Sequence, residues 1–499
     1  MKSKKVIVNI GSSLIFQIIT IICGFIIPKL IIKTYGSEVN GLVVSITEFL
    51  MYISLFEGGF GQVIKSLLYK PISKKNDDEI KKILKSSQVI FRRISYIFII
   101  YIIFLCIIYP LIINNSFDML FIVSLIIIIS ISTFFECYIG ITYSIYLKAK
   151  MDNYVISIIQ IITLIINALL VLLLIHYNFS IQIVKLASSI IFIIRPIFLS
   201  IYVNKKYKIN LKDVPSNYKI EQKYDGFAQH IAYIVHSNTD IIILTLFSSL
   251  NEVSVYSIYF WLLSGIRNII CNTFVNSVDS AFGDMIVRKE KDKLNASFKI
   301  YEGFYLTITT IVFICTIILI VPFISIYTKE INDVNYIRPI FAYIMTIAIF
   351  IFILRQLYYS LVKVAGHFKQ TKKGAIVEAS VNIIVSILLV NKYGIIGVAI
   401  GTLVAMTIRT IEIVIYTFKN ILEKKVVCFI KRFLLILIEI GIVLLINNNI
   451  NIRINNYSSW IVKALIIFMI SSVIVILLNS IIYKDNLIVI LKKKNKNSD

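Results

Sequence analysis

Four arginines stand deep inside long apolar stretches of this chain: Arg195, Arg267, Arg355 and Arg409. A guanidinium keeps its charge at any accessible pH, and its paired N–H groups match the oxygens of a phosphate. Such a group in an apolar stretch is expensive and faces a partner, an interior or water. Arg267 has Leu263, Ser264, Ile270 and Cys271 at the positions three and four residues away, and Arg355 has Ile351, Phe352, Tyr358 and Tyr359. Neither has an acid at these positions, so each is expected to find a partner across a cavity, in water or on a bound anion. The competing reading for both is a structural ion pair. Arg409 has Glu412 at i,i+3 pairing distance. Arg195 precedes Pro196, and an arginine there can cap the carbonyls a proline frees. Lys29, near the outer end of the first apolar run, either snorkels or joins the same cationic set.

Acids also fall within apolar runs: Glu48, Glu57, Glu136, Asp240, Glu378 and Glu439. A step coupled to a proton or sodium ion needs an acid of this kind. Glu57 leads because Gly58, Gly59 and Gly61 beside it permit close packing and a hinge. The alternative is an acid paired to a neighbouring Arg or Lys. Catalysis finds no support: there is no Walker-type phosphate loop and no nucleophile–base set. The four histidines and six cysteines show no metal-ligand spacing. No enzyme activity, cofactor or metal is expected.

The elements that position these residues are membrane spans. Of 499 residues, 58% are hydrophobic, and mean hydropathy is +0.87. Each crossing of about 30 Å of hydrocarbon needs about 20 apolar residues. Long apolar runs begin near Ile7, Leu42, Val89, Met119, Tyr154, Ile181, Phe227, Val253, Phe298, Tyr336, Ala375, Ile395, Phe433 and Trp460, giving fourteen expected crossings. The loops between them alternate in charge. Of 51 Lys and Arg, 39 fall on one side and only Lys33, Lys329, Arg338, Lys392 and Arg453 on the other. Basic loops stay cytoplasmic, so both termini are expected there. The net charge of +24 is thereby explained as topology spread over eight segments, not as a nucleic-acid patch. The other loops are too short to hold a catalytic domain.

The chain also repeats itself. Gly36-Ser37-Glu38-Val39-Asn40 after span one answers to Leu250-Asn251-Glu252-Val253-Ser254 after span seven. Ala149, Asn167, Tyr177 and Arg195 run through spans five and six, and Ala365, Asn382, Tyr393 and Arg409 follow at nearly the same steps through spans eleven and twelve. The expected architecture is all-α and polytopic: 14 transmembrane helices in two six-helix lobes plus two C-terminal helices. The N-lobe covers 1–203, a cytoplasmic linker 204–224, the C-lobe 225–425, spans thirteen and fourteen 426–483, and a basic tail 484–499. Parallel repeats of this kind place a substrate path at their interface.

The stretches Ile27-Pro28-Lys29-Leu30 and Tyr35-Gly36-Ser37-Glu38-Val39-Asn40-Gly41-Leu42, with Ser66-Leu67-Leu68-Tyr69-Lys70-Pro71, Asn238-Thr239-Asp240, Glu252-Val253-Ser254-Val255-Tyr256-Ser257 and Ala281-Phe282-Gly283, resemble the Wzx-type O-antigen and teichoic-acid exporters. Those belong to the multidrug/oligosaccharidyl-lipid/polysaccharide flippase superfamily, and the resemblance covers about residues 7–425. It implies a MATE-like pair of lobes around a central, often cationic, cavity in a bacterial plasma membrane. It implies translocation of an undecaprenyl-pyrophosphate-linked oligosaccharide to the outer leaflet for surface polysaccharide biosynthesis. Polysaccharide polymerase and glycosyltransferases are the implied protein partners. Under it, Arg267 and Arg355 engage the pyrophosphate, with Lys29, Arg409 and Arg195 as further cavity cations, and Glu57 with Gly58, Gly59 and Gly61 serves coupling and gating. The alternatives are an ion-coupled multidrug antiporter of the same fold and an O-antigen polymerase or membrane glycosyltransferase.

Overall fold

The computed structural model describes residues 2–113, 117–211, 214–216, 218, 238–450 and 452–482. Isoleucine-rich runs such as Ile97–Ile108 are poor helix formers in water. In lipid the backbone must satisfy its own hydrogen bonds, and a helix does so within one segment. Every described element is accordingly a helix. They are α1 (Lys2–Tyr35), α2 (Ser37–Met51), α3 (Ser54–Lys74), α4 (Asp77–Ile112), α5 (Met119–Ala149), α6 (Asn153–His176), α7 (Ile181–Tyr207), α8 (Asn238–Phe247), α9 (Leu250–Val287), α10 (Lys291–Tyr327), α11 (Pro339–Val364), α12 (Phe368–Tyr393), α13 (Ile395–Leu422), α14 (Val427–Asn448) and α15 (Tyr457–Ile482). The helix α5 carries a π-helical turn at Glu136–Gly140, α9 one at Cys271–Val275 and α13 one at Phe418–Leu422.

Eleven of these helices are long and apolar enough to cross a membrane. This is a multi-pass membrane protein. The three further expected crossings have specific fates. The thirteenth is α14, 22 residues long, but Lys431, Arg432 and Glu439 dilute its apolar character. The seventh begins outside the described residues and ends as α8. The second is split between α2 and α3.

That split lies at Tyr52–Ile53, not at the glycines where a bend was expected, and α3 runs through 58–61 without a break. The amide of Ile53 turns to the Leu50 carbonyl at 3.3 Å, and the Tyr101 hydroxyl of α4 takes the Phe49 carbonyl at 2.9 Å. A side chain inserted into the hydrogen-bond ladder is a recognised cause of a kink.

The chain forms two compact units, Met1–Ile258 and Tyr259–Asp499. The division falls within α9, and part of the linker expected at 204–224 lies outside the described residues. In the first unit, Leu42, Ile46 and Leu50 of α2 pack with Phe98, Leu105 and Tyr109 of α4 and Leu125 of α5. A second cluster joins Ile64 and Leu68 of α3 to Phe91, Tyr146 and Leu199. The two copies of the short repeat meet here: Asn40 Nδ2 donates to Ser254 Oγ at 2.8 Å, and Gly41 lies flush against the Leu250 carbonyl. Ser45 bonds Thr245 at 2.7 Å and receives the Tyr109 hydroxyl at 2.7 Å. Large apolar side chains such as Ile100, Ile103, Ile107, Leu169 and Leu173 point outward, as lipid-facing surfaces require.

In the second unit α11 is buried along most of its length, from Phe341 to Val362. It packs on α13, which forms a hairpin with α12. The helices α10, α14 and α15 share a separate core of Ile311, Ile314, Val443, Ile467 and Val475, and Trp460 Nε1 donates to the Leu319 carbonyl at 3.1 Å.

Candidate functional site

The second unit places three of the expected arginines close together. Arg355 on α11 is buried and donates to Glu378 Oε1 of α12 at 2.7 Å. Arg409 on α13 is buried too. It lies 3.6 Å from Glu378 Oε2 and 2.5 Å from Glu412 Oε2, and it donates to the Thr371 carbonyl at 2.8 Å. Arg355 thus finds its counter-charge on the next helix rather than across a cavity. The cluster of Arg355, Glu378, Arg409 and Glu412 holds two charges of each sign. A buried cluster that is already balanced leaves its cations little capacity for a further anion. Its fit depends on Gly374: a Cβ there would overlap the Glu412 carboxylate.

Arg267 stands beside this cluster and differs from it. It is half-buried on α9, with its guanidinium 5.3 Å from the Phe352 ring and 6.0 Å from the Phe260 ring. Arg355 lies 4.9 Å from the same Phe352 ring. Among the described residues Arg267 makes no ion pair. A ring face attracts a cation but does not neutralise it. Its guanidinium is not committed to a carboxylate among the described residues.

Further along α11 a second network follows. Tyr358 donates to Glu302 of α10, and Arg432 of α14 pairs with the same carboxylate. Ser360 and Lys363 share Asp279 of α9. Tyr358 is fully buried, so its ring is not open to a ligand. Sequence reasoning missed Glu302 and counted Arg432 as a loop cation. The available signal was that both sit on helices, at the ends of apolar runs, where a solvated loop residue is not required.

In the first unit Arg195 of α7 is half-buried. Its Nε donates to Thr163 Oγ1 of α6 at 2.6 Å, and its guanidinium lies 4.3 Å from the Phe192 ring. The expected capping of carbonyls freed by Pro196 is not what its Nε does. Lys29 is half-buried near the end of α1. A Cβ added at Gly61 would stand 3.6 Å from the Ile145 side chain. The side chains of Glu57, Gly58 and Gly59 lie outside the described residues. Of the other acids, Asp240 accepts from the Tyr256 hydroxyl at 2.7 Å, and buried Glu439 accepts from Asn479 of α15 at 2.7 Å.

This all-helical fold is shared with solved structures of membrane transporters. The chain is similar over 96% of its length to the whole of a lipid II flippase, MurJ, in an inward closed conformation, with a TM-score of 0.71 at 18% identity. It is similar over 81% of its length to 94% of an inward-facing multidrug resistance MATE family transporter, with a TM-score of 0.62 at 12% identity. It is also similar over 82% of its length to 94% of the eukaryotic MATE transporter AtDTX14, with a TM-score of 0.54 at 11% identity. No family model and no curated protein matches the sequence.

Proposed function

We propose that this protein is a flippase for an undecaprenyl-pyrophosphate-linked oligosaccharide. It carries that cargo from the cytoplasmic to the outer leaflet of a bacterial plasma membrane by alternating access of two lobes, in the service of a surface polysaccharide. The observation that carries the reading is Arg267: a half-buried guanidinium inside a span, against an aromatic face and without an ion pair among the described residues. An anion moved through low dielectric needs such a partner, and a pyrophosphate offers oxygens at the right spacing. Similarity over nearly the whole chain to a lipid II flippase supports the same cargo class.

Arg267 binds the pyrophosphate in this reading. Arg195 and Lys29 are further contacts along the path, while Arg355 and Arg409 hold the frame through Glu378 and Glu412. Glu57 and the Gly58–Gly61 segment retain the coupling and gating role. The second reading is an ion-coupled multidrug antiporter, favoured by similarity to MATE transporters. It calls for an acid open to cations, whereas Glu378 and Glu412 are already committed to arginines.

The test is complementation of a flippase-deficient strain, scored with membrane abundance. Arg267→Gln is expected to abolish surface polymer with normal abundance, and Arg267→Lys to restore part of it, because it keeps the charge but not the fork. Normal polymer from Arg267→Gln overturns the assignment.

A further inference from the structure

A second cationic site lies in the first unit, where α5, α6 and α7 come together around the turn at 150–154. The charge banding assigns this face to the cytoplasm. Asp152 in that turn is fully buried, and both its oxygens are in use: Lys5 Nζ lies 2.6 Å from one, and the Tyr207 hydroxyl donates to the other. Asn9 fixes the same turn, donating to the Met151 carbonyl and accepting from the Tyr154 amide, each at 2.8 Å.

Two more ammonium groups are held here with no acid left for them. Lys150 Nζ lies 5.1 Å from the centre of the Tyr207 ring and 5.8 Å from that of Tyr146. Lys206 Nζ lies 5.6 Å from the same Tyr207 ring and 4.9 Å from Tyr202. It donates to the hydroxyls of Tyr202 at 2.5 Å and Tyr154 at 3.4 Å. Among the described residues neither lysine has a carboxylate within 4.0 Å. Asp77 forms no ion pair with either lysine.

Two cations set against one ring repel each other, and the ring lowers that cost without cancelling the charge. An anion beside them would offset that repulsion. The remaining donors suit a phosphate: Lys206 keeps an N–H and Lys150 keeps three, and the Tyr202 hydroxyl holds Lys206 in place by accepting from it. We propose that Lys150 and Lys206, held on Tyr207 with the Tyr202 hydroxyl beside them, bind the phosphate group of a membrane lipid. The source is either bulk anionic phospholipid or the polyprenyl pyrophosphate carrier. The site itself stands independently of the flippase reading.

Native mass spectrometry of the purified full-length protein tests this with phosphatidylglycerol, undecaprenyl pyrophosphate and zwitterionic phosphatidylcholine in separate titrations. The substitution pair K150Q/K206Q is expected to weaken binding of at least one anionic lipid about thirtyfold, from about 1 kcal/mol per surface lysine. The pair K148Q/K208Q removes the same charge from neighbours outside the ring cluster and is expected to lose far less. Tyr202→Phe keeps the charge and is expected to lose about fivefold through one hydrogen bond. Weakening confined to phosphatidylglycerol makes this a bulk-lipid site, and weakening confined to the pyrophosphate makes it a carrier site. Equal losses from the two lysine pairs, or equal affinity for phosphatidylcholine, overturn the proposal. If K150Q/K206Q does not purify, an unchanged affinity in Tyr202→Phe overturns it as well.

Discussion

The hairpin of α6 and α7 in the first unit and that of α12 and α13 in the second are two treatments of one pattern. Each carries its arginine on the second helix, Arg195 in one and Arg409 in the other, and each arginine reaches back to the first helix. The contacted residues stand in the same register. Thr163 precedes Asn167 by four positions, and Glu378 precedes Asn382 by four. Three residues after the arginine stand Phe198 in the first hairpin and Glu412 in the second. The second hairpin thus has carboxylates where the first has a hydroxyl and a phenyl ring. Arg409 is buried and doubly paired, whereas Arg195 is half-buried and rests on a neutral oxygen. Two substitutions at fixed register separate an arginine that holds a lobe together from one that keeps its charge available.

The largest expected effect breaks the second hairpin. Glu378→Ala strips the counter-charge from Arg355 and part of it from Arg409, leaving buried cations at a cost of about 3–5 kcal/mol. Thermal unfolding of the purified protein should show a large loss, with low membrane abundance. The matched Thr163→Ala in the first hairpin removes one hydrogen bond and is expected to cost only about 1 kcal/mol. If the two changes prove equally mild, the cluster of Arg355, Glu378 and Arg409 is not what holds the second unit.

A smaller effect tests the same cluster from its packing. Gly374→Ala places a Cβ where the Glu412 carboxylate sits and is expected to cost about 1–3 kcal/mol through overpacking. The double change Gly374→Ala with Glu412→Ser should cost less than the sum of the two single changes, because the smaller side chain clears the new methyl. Additive losses in the double variant would show that Gly374 matters for another reason. The change is readable by thermal unfolding alone and needs no transported substrate.

How much of this was legible before the fold was known depends on which force leaves a trace in sequence. Apolar run length marks lipid depth directly, and eleven of the expected crossings stand as helices of the right length. Asn167 and Asn382 recur in order in the sequence, and Asn40 and Ser254 touch in the fold. Partners between helices were not legible. Arg355 with Glu378, and Glu302 with Arg432, are joined by packing between segments far apart in the chain, and no spacing rule encodes it. The pairing of Arg409 with Glu412 was legible because both lie on one helix face. The break at Tyr52–Ile53 was misplaced onto Gly58–Gly61 because its cause, the Tyr101 hydroxyl, comes from another helix.

The smallest effect sharpens the comparison at the hairpin tips. Both hairpins turn just after a tyrosine, on a residue with positive φ: Asn178 at 55° after Tyr177, and Gly394 at 54° after Tyr393. Asn178 meets the left-handed demand with a side chain that tolerates it. Gly394 pairs its φ of 54° with a ψ of −132°, a combination that an L side chain rarely reaches. No neighbour crowds Gly394, so backbone strain alone sets the cost of adding a methyl. Gly394→Ala is therefore expected to lower stability by about 1–2 kcal/mol. Asn178→Gly relieves the strain of a φ that glycine adopts freely but loosens the unfolded chain, and the two terms nearly cancel to a few tenths of a kcal/mol. Thermal unfolding of the two single variants beside the parent measures the difference. A loss from Asn178→Gly as large as that from Gly394→Ala would mean that the Asn178 side chain, not its backbone angle, secures the first turn, and the likeness of the two hairpins would end at their tips.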